Sequence, residues 1–123
     1  MPESLEPIPL VFWRSAGGRE PVREWLNELS REDKRTIGRD IAKVQYGWPV
    51  GMPLCRSLGA GLWELRASLP GRREARVFFG FHDRLLIALH AIIKKTQKTP
   101  AEDLALARLR FKDAQSWQEK IRT

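Results

Sequence analysis

The pattern of apolar and polar positions divides the chain into seven elements. Ile8 to Arg14 (Ile-Pro-Leu-Val-Phe-Trp-Arg) is a short apolar run with aromatic and β-branched residues. Pro7 and Gly17-Gly18 bound it, and it predicts a first strand. Pro9 has no N–H for a ladder, so it sits at the strand's start or on a free edge. Pro21 suits a first helical turn. Val22, Trp25, Leu26 and Leu29 then keep the i, i+3, i+4, i+7 spacing of a buried helical stripe. Ser30 reads as the N-cap of a second helix, with Asp33 three residues on in the manner of a capping box. Ile37, Ile41 and Val44 share one side of that helix, Gly47 suits its C′ position and Pro49 closes it. Two helices joined tightly at Ser30 make a helical hairpin.

Trp48 to Gly61, with Pro49, Gly51, Pro53, Gly59 and Gly61, has the chemistry of an irregular connection. Period-two alternation follows. In Leu62 to Leu69, Trp63, Leu65, Ala67 and Leu69 share one face, and Glu64, Arg66 and Ser68 the other. In Ala75 to Phe81, Val77, Phe79 and Phe81 oppose Arg76 and Phe78. Leu85 to Ile93 is apolar on both faces, with His90 alternating with Ala88, Ile92 and Lys94. Pro70-Gly71 and His82-Asp83-Arg84 supply turns, and such short connections imply an antiparallel meander. Thr99-Pro100-Ala101-Glu102 opens a last helix whose inner face is Leu104, Ala107, Arg108 and Phe111, with Trp117 and Ile121 keeping the spacing. The predicted order is β-α-α-β-β-β-α. It describes an α+β domain, a four-stranded antiparallel sheet with the helices on one face and the first strand paired with the second or fourth.

Composition narrows the class. A chain of 123 residues, 42% apolar and 30% charged, suits one soluble domain with a core of its own, spanning residues 1–123. The longest apolar run, Leu85 to Leu89, ends at His90, far short of the ~18 residues of a membrane span. The N-terminal residues lack the pattern of a secretory signal, and a single cysteine, Cys55, fits a reducing cytoplasm. The net charge of +7 is unevenly spread. Residues 1–55 balance eight Lys/Arg against eight Asp/Glu, whereas residues 56–98 carry nine Lys/Arg against Glu64, Glu74 and Asp83. A localised basic field fits a polyanion such as RNA, an acidic protein surface, or a need for solubility.

Two histidines and one cysteine in no ligand-like spacing leave no metal site to predict, and no cofactor is expected. Gly59-Ala60-Gly61 precedes a strand, unlike a phosphate-binding loop, and no nucleophile elbow is present. The basic set remains. Arg66 and Arg76 project away from the main apolar rows; on neighbouring strands in register they would share a face and could clamp a phosphate. The alternative is two solvated arginines, or ion pairs with Glu64 or Glu74. Lys94, Lys95 and Lys98 crowd the end of the last strand, either as a solvated loop or as part of the same positive pocket. Arg56 and Arg73 are further RNA-contact candidates of the basic segment. His90 is a core histidine or an acid–base group, and Trp48 a packing residue or a base-stacking one.

Gly61-Leu62-Trp63-Glu64-Leu65-Arg66, Arg76-Val77-Phe78-Phe79 and the run from Leu89 to Pro100 (Leu-His-Ala-Ile-Ile-Lys-Lys-Thr-Gln-Lys-Thr-Pro) resemble the HigB-like, phage-derived branch of the RelE/ParE toxin superfamily. The resemblance covers roughly residues 8–113. It implies a RelE-like fold and a type II toxin–antitoxin toxin, a metal-independent endoribonuclease that cleaves mRNA, commonly in the ribosomal A site. It also implies a HigA-like helix-turn-helix antitoxin that neutralises the toxin and represses the operon by binding operator DNA. Carried over by motif, Arg66, Arg76, Lys94 and Lys95 are the catalytic candidates, with His90 a reserve acid or base. Tyr46 is the sole tyrosine and lies on the helical hairpin, so the C-terminal tyrosine acid of some superfamily members has no counterpart. A ParE-like gyrase inhibitor and a non-catalytic RNA- or protein-binding module of phage origin are the alternatives.

Overall fold

The computed structural model describes residues 6–94 and 100–117. Its elements are β1 (Leu10–Phe12), α1 (Pro21–Asn27), α2 (Arg31–Gly47), β2 (Cys55–Gly59), β3 (Leu62–Leu69), β4 (Arg73–His82), β5 (Leu85–Lys94) and α3 (Ala101–Gln115). The class is α+β, but the sheet has five strands, in the order β1-β5-β4-β3-β2, rather than four. It is mixed rather than antiparallel, because β1 pairs parallel to β5 while the other neighbours are antiparallel.

Both differences have a physical origin. β2 lies within the Pro/Gly-rich stretch expected to be irregular. As an edge strand with a register shift between Ser57 and Gly59, it is held by its ladder to β3 and needs no continuous apolar pattern. β1 reaches the sheet through a long helical connection rather than a hairpin, so nothing local dictates its direction. The turns of the meander follow their sequences: Gly71 and Arg72 between β3 and β4, and Asp83 and Arg84 between β4 and β5, all take positive φ.

The helices cover both faces of the sheet, not one. On the first face, Val22 of α1 and Ile37 and Val44 of α2 pack with Cys55, Leu65, Ala67, Val77, Phe79, Leu86 and Ala88. Trp48 caps this layer by meeting Trp63 and Phe79 edge-on, with ring centroids 4.9 and 5.5 Å away. On the second face, Ala107, Phe111 and Ala114 of α3 pack with Leu62, Phe78, Ile87 and Leu89. Phe111 lies so close over β4 that a methyl group on Gly80 would overlap its ring.

Local signals set the helix ends. The Ser30 hydroxyl accepts from the Asp33 N–H at 3.1 Å, the expected N-cap. The Asp33 carboxylate does not complete a capping box. It takes two hydrogen bonds from Arg73 at 2.8 and 3.1 Å, fastening α2 to the start of β4. Gly47 is the last helical residue rather than the left-handed residue beyond it. Cys55 is buried in the first layer, and burial pushes its thiol up to about 11, so it stays protonated at neutral pH.

Gly80→Ala is expected to lower stability by about 1–3 kcal/mol through overpacking, read as a shift in the urea midpoint. Adding Phe111→Leu should restore part of the loss. The Arg73 guanidinium holds the Asp33 carboxyl below its ordinary range. The pair's contribution is therefore complete above about pH 4 and lost as pH falls through the depressed folded-state value. Asp33→Asn should cost stability at pH 7 and progressively less on acidification, as measured by urea midpoints across a pH series.

Candidate functional site

The polar positions of β3, β4 and β5 meet on the α3 face of the sheet. Register places Arg66 directly opposite Arg76, Glu64 opposite Phe78, Ser68 opposite Glu74, and Glu74 opposite Lys94. The two arginines therefore share a face, as alternation and a tight turn predict. They do not form an open clamp. Arg76 and Glu64 are fully buried, and the Arg66 side chain is 13% exposed.

The surrounding charges explain how such burial is tolerated. Arg76 Nε donates to Glu74 Oε1 at 2.9 Å, and Arg76 Nη1 lies 3.5 Å from Glu64 Oε2. Arg66 Nε lies 3.7 Å from Glu64 Oε1 and 3.5 Å from Glu74 Oε1. Two arginines on directly opposed positions would repel each other. The diagonally placed glutamates turn the group into a quartet of alternating sign. Buried ionised groups persist only when paired in this way. Of the readings open from sequence, ion pairing with Glu64 and Glu74 is the one observed.

His90 reaches this face through an irregularity. Phe78 pairs with His90 but Phe79 pairs with Ala88, so Leu89 is an extra residue in β5. Strict alternation would leave His90 beside Ala88 against the helical hairpin. The bulge moves His90, with Ile92 and Lys94, to the side of Phe78 and Arg76. Arg110 of α3 donates to the Leu89 carbonyl at 2.9 Å. It also stacks 4.5 Å above the Trp13 ring, and burial pulls its pKa down. The His90 ring lies nearly parallel to Phe78, with centroids 5.8 Å apart and planes 16° apart. Its Nε2 is 2.7 Å from Asp103 Oδ1, at the first turn of α3. Asp103 did not stand out in the sequence, where it reads as ordinary acidic charge at a helix start.

The remaining candidates fall in different places. Lys94 ends β5, across from Glu74. Arg56 is exposed on β2, opposite Glu64 in register, at the rim of the cluster. Arg73 is engaged by Asp33 of α2, against the other layer of the sheet. Lys95 and Lys98 lie outside the described residues. Trp48 is a packing residue, as its ring contacts show. A groove of about 750 Å³ lies elsewhere, between β1 and the end of α3, lined by Leu10, Phe12, Leu85, Ile87 and Trp117 among others. None of the clustered arginines contributes to it. Among the described residues, no group of three or more His, Cys, Asp or Glu side chains is arranged to hold a metal ion, and no helix is long and apolar enough to cross a membrane.

The site can supply a guanidinium fixed by flanking carboxylates, a strand-end ammonium, and an imidazole with an acidic partner. No curated protein matches the chain. A family model does match, over residues 24–112, which takes in the second half of α1, all of α2, the strands of the charge quartet and most of α3. The chain thus belongs to the phage-derived Gp49-like protein family (DUF891), a family associated with toxin–antitoxin systems and related to RelE-like toxins.

Proposed function

We propose that this protein is the toxin of a type II toxin–antitoxin pair, of the HigB-like kind, and that it cleaves mRNA on the ribosome without a metal. The observation that carries this reading is that Arg66, His90 and Lys94 lie on one face of the sheet, with His90 bound to the first turn of α3. Cleavage of this type needs a base to take the proton of a 2′-hydroxyl, positive charge near the transferring phosphoryl group, and an acid for the leaving 5′-oxygen.

Lys94, or its neighbour Lys95, serves as the base or as a second cation. Arg66, the more exposed arginine of the quartet, meets the phosphoryl oxygens. Arg76, directly opposite it on β4 and fully buried, acts by holding Glu64 and Glu74 in the arrangement that fixes Arg66. The products are a 2′,3′-cyclic phosphate and a 5′-hydroxyl. Arg56 at the rim, and Lys98 beyond β5, extend the contact with RNA. Arg73 contributes to binding only at the expense of its pair with Asp33. The implied partners are mRNA, the ribosome and a helix-turn-helix antitoxin that brings the pair to its operator DNA. The implied setting is the cytoplasm.

Purified protein added to translating ribosomes should produce new mRNA 5′ ends at defined codon positions. Arg66→Ala should reduce that cleavage by roughly 10²–10³-fold, the usual loss when one charge-stabilising donor is removed. Thermal unfolding of the variant separates this effect from loss of fold. Intact message at every codon would sink the proposal; a DNA-damage response with intact message would point instead to gyrase inhibition.

A further inference from the structure

The His90–Asp103 pair is more elaborate than a tie between strand and helix requires. Three restraints act on one imidazole. The bulge at Leu89, whose carbonyl is held by Arg110, turns His90 onto the α3 face. The Phe78 ring fixes the plane of the imidazole. Asp103 fixes one ring nitrogen, at 2.7 Å. An ionised carboxylate can only accept, so the nitrogen that meets it must carry the proton. His90 is thereby held with hydrogen on Nε2. Nδ1 has no hydrogen-bond partner among the described residues. The side chain keeps 17% of its exposure, enough for one edge to be reached.

We propose that Asp103 is a positioning residue, and that it makes Nδ1 of His90 the atom that protonates the leaving 5′-oxygen. The assignment rests on the endoribonuclease reading above. In the step, the 2′-oxygen forms its bond to phosphorus as its proton passes to the base. The bond between phosphorus and the 5′-oxygen breaks, and that oxygen takes the proton from Nδ1. The imidazole is left neutral, still donating from Nε2 to Asp103. The Nδ1 edge takes its proton from solvent before the bond breaks and passes it to the departing oxygen, while Asp103 keeps the ring in the orientation that presents that edge. This supplies the acid that Tyr46, on α2 against the opposite face of the sheet, cannot. A purely structural pair would instead only fasten the first turn of α3 to β5.

The two roles separate by leaving group. Translating ribosomes are programmed with an mRNA carrying a normal 5′-oxygen at the cleaved position, or with one carrying a bridging 5′-sulfur there, which departs without protonation. On the oxygen message, His90→Gln should lose roughly 10²–10⁴-fold and Asp103→Ala roughly 10–100-fold. On the sulfur message both should fall within about threefold of the parent, the penalty for a missing acid having vanished. Lys94→Met should lose activity on both messages. Asp103→Asn, which keeps an acceptor without the charge, should fall between the parent and Asp103→Ala. Nitrogen-15 NMR of the imidazoles should find His90 protonated on Nε2 in the parent and distributed over both nitrogens in Asp103→Ala.

Equal losses on both messages, in a variant that still unfolds cooperatively, would overturn the acid assignment. An unchanged tautomer in Asp103→Ala would overturn the positioning role. Parent protein that cuts neither message would overturn the endoribonuclease reading and the acid role together, while the tautomer measurement still reports on the pair itself.

Discussion

Two fully buried ionised side chains, Glu64 and Arg76, constrain the centre of this protein. Neither is tolerable alone: removing one partner of a buried ion pair typically costs about 3–5 kcal/mol, because the other charge is stranded. Glu74 and Arg66 complete the quartet, and its geometry requires β3 and β4 to pair in one register. A slip of β3 against β4 by one residue would turn Glu64 and Arg66 into the layer occupied by Ile37, Val44 and Val77 and leave Arg76 and Glu74 without them. The quartet therefore works as a register lock, and whatever approaches this face meets a preset arrangement of charge.

The second organising element is α3. Its middle rests on the sheet where Gly80 leaves room for Phe111. Both flanks are tied as well: Arg108 donates to the Leu58 carbonyl on β2, and Asp113 accepts from Trp13 just beyond β1. The helix thus spans the sheet from one edge strand to the other, and the position of Asp103 against His90 is set by contacts along its whole length.

How much of this was legible in the sequence depended on the range of the interaction. Alternation in Leu62–Leu69 and Ala75–Phe81 assigned every side chain there to its observed face, because a strand's period is two. The Pro70-Gly71 turn made it reasonable that Arg66 and Arg76 would face each other. Leu89 was not legible as a bulge, since an extra residue in an all-apolar strand leaves no mark; alternation grouped His90 rightly with Ile92 and Lys94 but wrongly with Ala88. The parallel docking of β1, the edge strand β2 and the capture of Arg73 by Asp33 all depend on partners chosen by the finished fold. The family signal lay in the Leu62–Arg66 and Lys94–Pro100 motifs, which sit in the best-patterned part of the chain.

The parallel pairing of β1 with β5 bears on how the protein comes into being. Residues 10–12 align with residues 86–88, so β1 has no neighbour in the sheet until β5 has left the ribosome. The helical hairpin likewise waits for the strands that bury its apolar side. Contacts of such long sequence separation form late and slowly. Asp103 emerges later still, after β5. A nascent chain therefore holds its strands and arginines before it holds the complete face on which they meet. The assembled site exists only once α3 has followed the strands, which gives a growing chain an interval in which its charged face is not yet built.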